Sequence, residues 1–184
     1  MNDAISDSNP ALPGSAGVLR RVMAMVYDLL PMMAIGVVVT FAFLPFLNGR
    51  RFIPAEVGAL AYLHRGLVLA AAAGFFIYFW TTRGQTIGMM AWRLRVQRAD
   101  GSLIDWKQGA ARVLSVMALW VPFFVGNALF WGHWTDRTAR GLAIAASLLP
   151  VVFAYAWIWI DRDRLAWHDR WTDTRVTVLP KRKK

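Results

Sequence analysis

Four long apolar runs organise the chain. Residues 22–47 carry one charge, Asp28, and residues 66–82, 113–131 and 142–160 carry none. A hydrocarbon core of about 30 Å is crossed by about 20 apolar helical residues, with a usable range of roughly 17–25. All four runs are therefore expected to be membrane-spanning helices. The second is short, and its outer end can borrow residues 62–65, with Arg65 snorkelling to the headgroups. The first run follows some twenty mostly polar residues and is too long for a signal-peptide core of about 7–15 residues. It is expected to be a retained helix.

The pattern changes between the second and third runs. Residues 92–97, Trp-Arg-Leu-Arg-Val-Gln, alternate apolar with polar, the period of a half-buried strand. Asp100-Gly101 follows as a turn signal. Residues 174–178, Thr-Arg-Val-Thr-Val, alternate again and are rich in β-branched side chains. Two such strands on one side of the membrane predict a small sheet joining Leu94–Gln97 to Arg175–Val178. Residues 85–90 read as an interfacial bend. The fold class expected is thus an all-α membrane protein of four transmembrane helices with a small cytoplasmic β-sheet. Residues 1–16 read as a disordered lead, 17–179 as one membrane domain and 180–184 as a basic tail.

Composition supports the membrane reading. Of 184 residues, 57% are hydrophobic and 17% charged, against roughly 45–50% and about 25% in soluble domains. The net charge of +10 with so few charges argues against a nucleic-acid module, whose basic face needs a soluble core behind it. The basic residues also set the orientation. With the N-terminus inside, sixteen Lys and Arg fall on the inner side. Only Arg50, Arg51, Arg65, Arg137 and Arg140 fall outside. The positive-inside rule then places both termini in the cytoplasm. Trp131 and Trp134 would mark the outer interface, and Trp80, Trp92, Trp106, Trp167 and Trp171 the inner one. The basic tail aids this topology and can also contact anionic lipid headgroups.

Cysteine is absent, which excludes disulfides, thiolate metal sites and a cysteine nucleophile. His64, His133 and His168 are scattered, so neither metal nor cofactor is expected. No phosphate loop, HExxH pair or serine elbow is present, and an enzyme, for instance one acting on a lipid-linked substrate, is not expected.

Asp28 needs an explanation, because a carboxylate inside a span is costly and marks transport pathways unusually often. It lies seven residues after Arg21, about 10 Å along a helix and about 20° away in azimuth, so the two share a face. A second charged cluster follows the fourth run, with His168-Asp169 flanked by Trp167 and Trp171 and followed by Asp173. The alternatives are an Asp28 that holds the bundle by pairing with arginine and one that binds or carries a proton. Gly66, Ala70 and Gly74 recur at steps of four. That spacing lets helices approach closely in lipid, either within the chain or in a homo-oligomer.

Arg21-Val-Met-Ala-Met-Val-Tyr-Asp28, Gly84-Gln-Thr-Ile-Gly88, the strand and turn of 92–101, Arg112 opening the third helix and Trp167-His168-Asp169 together resemble the RDD family. These are small bacterial membrane proteins named for one arginine and two aspartates. The resemblance covers about residues 17–180. It implies that Arg21, Asp28 and Asp169 are the naming residues, with Asp173 competing for the last place. It supplies no established activity, though transport of unidentified ligands has been suggested. Arg21, Asp28 and Asp169 are accordingly expected to form one polar cluster at the inner end of the bundle, with His168, Asp173 and Arg112 as secondary candidates. Two functions compete. One is transport of protons, cations or a small solute across the bacterial inner membrane. The other is a non-catalytic scaffold or accessory subunit that holds a partner at the cytoplasmic face.

Overall fold

The structure is a computed structural model and describes residues 15–51, 53–130 and 136–180. The lead up to residue 14, the outer Trp131 and Trp134 and the tail residues 181–184 lie outside the described residues.

Helix α1, Val18–Leu47, is 30 residues long, about 45 Å at 1.5 Å per residue. That exceeds the hydrocarbon thickness, so its first turns carry Arg20 and Arg21 beyond the apolar portion that the pattern marked. It ends at Asn48, whose φ of 48° is the left-handed conformation of a helix stop. A one-turn helix α2, Pro54–Val57, leads through Gly58 into α3, Ala59–Thr82. α3 therefore takes in Tyr62 to Arg65 as the short second run requires. A short helix α4, Ile87–Ala91, follows, then strand β1, Leu94–Gln97, and α5, Trp106–Phe130.

The fourth apolar run is not one helix. It is divided into α6, Arg137–Ser147, and α7, Leu149–Ile160, whose axes bend by 45°. Pro150 sits in the first turn of α7. Its ring nitrogen cannot donate to the carbonyl four residues back, so the helical ladder breaks there. Apolarity alone carries no trace of this break. α1, α3 and α5 are each long and apolar enough to cross a membrane, and α6 with α7 makes a fourth span if the bent pair is counted as one. Only 6% of the apolar windows of α1 and α3 is buried, which leaves their apolar side chains for lipid.

The sheet is the one the alternation predicts. β1 pairs antiparallel with β2, Arg175–Val178, in the register Leu94↔Val178 and Val96↔Val176. Both outer sides are covered. Ala16 N–H donates to Val176 O at 2.8 Å on one side, and Val96 N–H donates to Gly84 O at 2.7 Å on the other. Ser15 also bridges Thr177. Ser15 and Ala16 are thus part of the fold, correcting their assignment to the lead. Ala16 is fully buried beside Ala24, Trp80, Leu94, Val96, Ile104 and Val176. This core lies at the end of the bundle where the sheet, α4 and the last short helix α8, Trp167–Trp171, meet the first turns of α1.

Candidate functional site

The polar residues of this end fall into two centres. The first is built on Asp169, in the first turn of α8 and fully buried. Arg21 Nη1 donates to its Oδ2, and Arg112 Nη2 lies 2.5 Å from its Oδ1. The Ala166 N–H adds a bond to Oδ2 at 3.3 Å, and His168 Nε2 stands 3.5 Å from Oδ1. Burial would push the Asp169 carboxyl upward. The guanidiniums of Arg112 and then Arg21 outweigh it and hold that carboxyl well below the usual carboxylate range.

Each arginine is committed further. Arg21 Nε donates to Ala16 O at 2.9 Å, which seats the segment before α1. Arg112 Nη1 donates to Thr174 Oγ1, and its guanidinium stands 5.2 Å over the Trp80 ring. Asp169 therefore ties α1, α5 and α8 together, and Thr174 extends the tie to the turn that enters β2. His168 is 2% exposed. Burial drives its imidazole down to about 4, against the pull of Asp169 and helped by Arg112 and Arg21. It is a neutral ring at neutral pH.

The second centre is built on Asp28, two turns deeper in α1 and 4% exposed. Thr86 Oγ1 donates to its Oδ2 at 2.6 Å, and the Gly88 N–H donates to its Oδ1 at 2.8 Å. Among the described residues Asp28 forms no ion pair. Glycine spacing allows this geometry. A Cβ on Gly88 would lie 2.0 Å from the Ala24 carbonyl oxygen and 3.0 Å from the Asp28 carboxyl carbon, so only glycine lets α4 press its backbone against α1. Gly84, at φ +68°, supplies the left-handed turn that aims α4 there. Thr86 then caps α4 by accepting the Met89 N–H at 3.2 Å.

The expected single cluster of Arg21, Asp28 and Asp169 is thus divided. Arg21 and Asp169 meet, as expected. Asp28 does not pair with Arg21, because the Arg21 guanidinium is taken up by Asp169 and Ala16. Arg112, a secondary candidate, is a full partner of Asp169. His168 flanks the centre. Asp173 is exposed, stands at φ 49° in the turn after α8 and takes no part, which removes it as a competitor to Asp169. Sequence reasoning passed over Thr86 and Gly88 as the holders of Asp28. Their signal was present in Gly84-Gln-Thr-Ile-Gly88, a helix-capping residue between two glycines, opposite a span carrying an unexplained carboxylate.

Between the centres lies a cavity of about 220 Å³. Arg21, Asp28, Arg112, Tyr155 and His168 contribute to its wall, and the remainder is apolar, including Ala73, Phe76 and Val116. The stripe Gly66, Ala70 and Gly74 stands elsewhere. All three are exposed, and a Cβ on either glycine would meet nothing within 4 Å, so the stripe packs against none of the described residues.

The RDD family model matches residues 15–173. The chain belongs to that family and carries the apolar helices of a membrane-type protein. No curated protein and no solved structure matches it.

Proposed function

We propose that this RDD-family chain is a transporter of protons, cations or a small solute, and not an enzyme, with Asp28 as its transport carboxylate. The observation that carries this reading is the partnership of Asp28. It is buried in a span and borders the cavity, and among the described residues it is held by one hydroxyl and one backbone N–H without an ion pair. Such a carboxyl can exchange a proton for a cation without breaking an ion pair. Asp169 cannot, because its charge is required by two buried arginines.

The same reading places four spans in the bacterial inner membrane with both termini cytoplasmic, supported by the distribution of Lys and Arg. Four spans make a narrow path for one chain. A homo-oligomer through the exposed Gly66, Ala70 and Gly74 face fits that need, and anionic headgroups fit the basic inner side. The scaffold alternative has less support, since both outer sides of the sheet are already covered from within the chain and offer little edge for a partner strand.

The test is flux in proteoliposomes of the purified chain under proton, Na⁺ and K⁺ gradients. Gradient-driven flux that disappears in Asp28→Asn is the expected result. Flux that survives the substitution, or no flux in the unaltered chain under any of the gradients, would reject the proposal.

A further inference from the structure

The cavity has a second property that transport through Asp28 does not use. Its apolar part is formed by α3 and α5, with Leu69, Phe76, Val113 and Val116 among the walls. At one side the wall is Arg112 and His168, which are 3% and 2% exposed. Arg112 keeps a buried Nε without a hydrogen-bond partner. Orphaned buried donors are uncommon and costly. Charge points the same way. Arg21 and Arg112 share the single carboxylate of Asp169, and Asp28 forms no ion pair with either of them. One buried positive charge is left without an adjacent counter-ion, and such a charge is expensive in an apolar surround.

The cavity also borders an apolar surface groove. Met25 and Tyr155 line both the cavity and a groove between α1 and α7. That groove is walled by exposed apolar residues such as Val26, Leu29, Val152 and Trp159. The Tyr155 hydroxyl donates to Met25 Sδ at 3.2 Å, a weak bond in the wall that the two share. Parting these two side chains would join the cavity to the groove. Size is consistent: an apolar cavity of about 150 Å³ holds benzene, so 220 Å³ holds roughly nine heavy atoms by proportion.

We propose that this cavity binds a lipophilic monocarboxylate that enters between α1 and α7, its carboxylate at the Arg112–His168 end and its hydrocarbon body between α3 and α5. The carboxylate supplies the missing counter-ion and acceptor at once, and the body replaces an apolar void. The proposal is independent of transport through Asp28 and can hold if that reading fails.

Heptanoate and heptanol are the probes, titrated calorimetrically into the full chain in phosphatidylcholine nanodiscs, with empty discs subtracted. One saturable heptanoate site is expected, with heptanol at least tenfold weaker. Ala73→Leu on α3 and Val116→Phe on α5 each fill the apolar part of the cavity without touching the charged end. Each folded variant is expected to lose at least tenfold in heptanoate affinity, so the test stands if either one fails to fold. Heptanoate uptake no greater than that of empty discs would overturn the proposal. So would heptanol binding as tightly as heptanoate, or unchanged heptanoate affinity in a folded cavity-filling variant.

Discussion

The two buried aspartates have the same side chain and opposite surroundings. Asp169 is gripped by two guanidiniums and joins three helices. Asp28 is held by a threonine hydroxyl and a glycine N–H. The first arrangement fixes charge: removing the carboxylate strands two cations in an apolar end. The second fixes only position, since a hydroxyl and an amide can hold a carboxyl whether or not it is ionised. Burial alone therefore does not identify a working carboxylate in a membrane bundle. The partners do.

The largest effect should come from Asp169→Ala. Breaking a buried ion pair from one side costs about 3–5 kcal/mol, and two arginines are stranded here. Folded yield from membranes and the thermal midpoint in detergent should both collapse. Near-normal yield would mean that Asp169 is not the tie among α1, α5 and α8.

Gly88→Ala comes next. Ordinary overpacking costs about 1–3 kcal/mol, and this Cβ meets a backbone carbonyl at 2.0 Å, which cannot swing aside. A cost at the upper end, about 3 kcal/mol, is expected, with α4 lifted from α1 and Asp28 deprived of one donor. Thermal unfolding checks the first effect. Faster amide exchange at positions 88 and 89 in the Gly88→Ala chain, compared with the unaltered one, checks the second.

Acid should weaken the Asp169 side specifically. His168 titrates near 6.5 when unfolded and about 4 in the fold. The unfolded chain thus binds the extra proton between those values. The stability that burial of the neutral ring provides is intact above about pH 6.5 and declines as pH falls toward 4. The loss is on the order of 2–3 kcal/mol by pH 4. Asp169, held low, adds a further loss only below the ordinary carboxylate range. Thermal midpoints from pH 7.5 to 4 should fall for the unaltered chain and stay flatter for His168→Gln. Equal slopes would show that His168 is not the titrating group.

Much of this was legible in the sequence. A lone charge in an apolar run singled out Asp28, alternation placed both strands, and Arg21 and Asp169 meet as their positions on one membrane side suggested. The partnership of Asp28 was not legible. Seven residues along a helix put it on the face of Arg21, yet about 10 Å away, and a guanidinium goes to the nearest carboxylate that tertiary packing supplies. That carboxylate arrives from α8, more than a hundred residues later. The bend before Pro150 was passed over: the proline itself marks a break in the helical ladder, whereas the apolar run reports contact with lipid and not continuity of hydrogen bonds. The stripe of Gly66, Ala70 and Gly74 suggested close helix packing, within the chain or between copies, and it stands exposed in the fold.

The smallest expected effect on stability belongs to Asp28→Asn. The amide oxygen can still accept the Gly88 N–H, and its nitrogen can donate to Thr86, so the cost should be about 1 kcal/mol, one imperfect hydrogen bond. This makes the contrast between the two aspartates measurable in one experiment. Asp28→Asn and Asp169→Asn are purified in parallel, folded yield is measured, and the folded fraction of each is reconstituted for cation- and proton-driven flux. The account predicts near-normal yield without flux for Asp28→Asn, and severely reduced yield for Asp169→Asn with flux per folded molecule retained. The opposite pattern, poor yield at Asp28 with flux retained per folded molecule and normal yield at Asp169 with flux abolished, would contradict it.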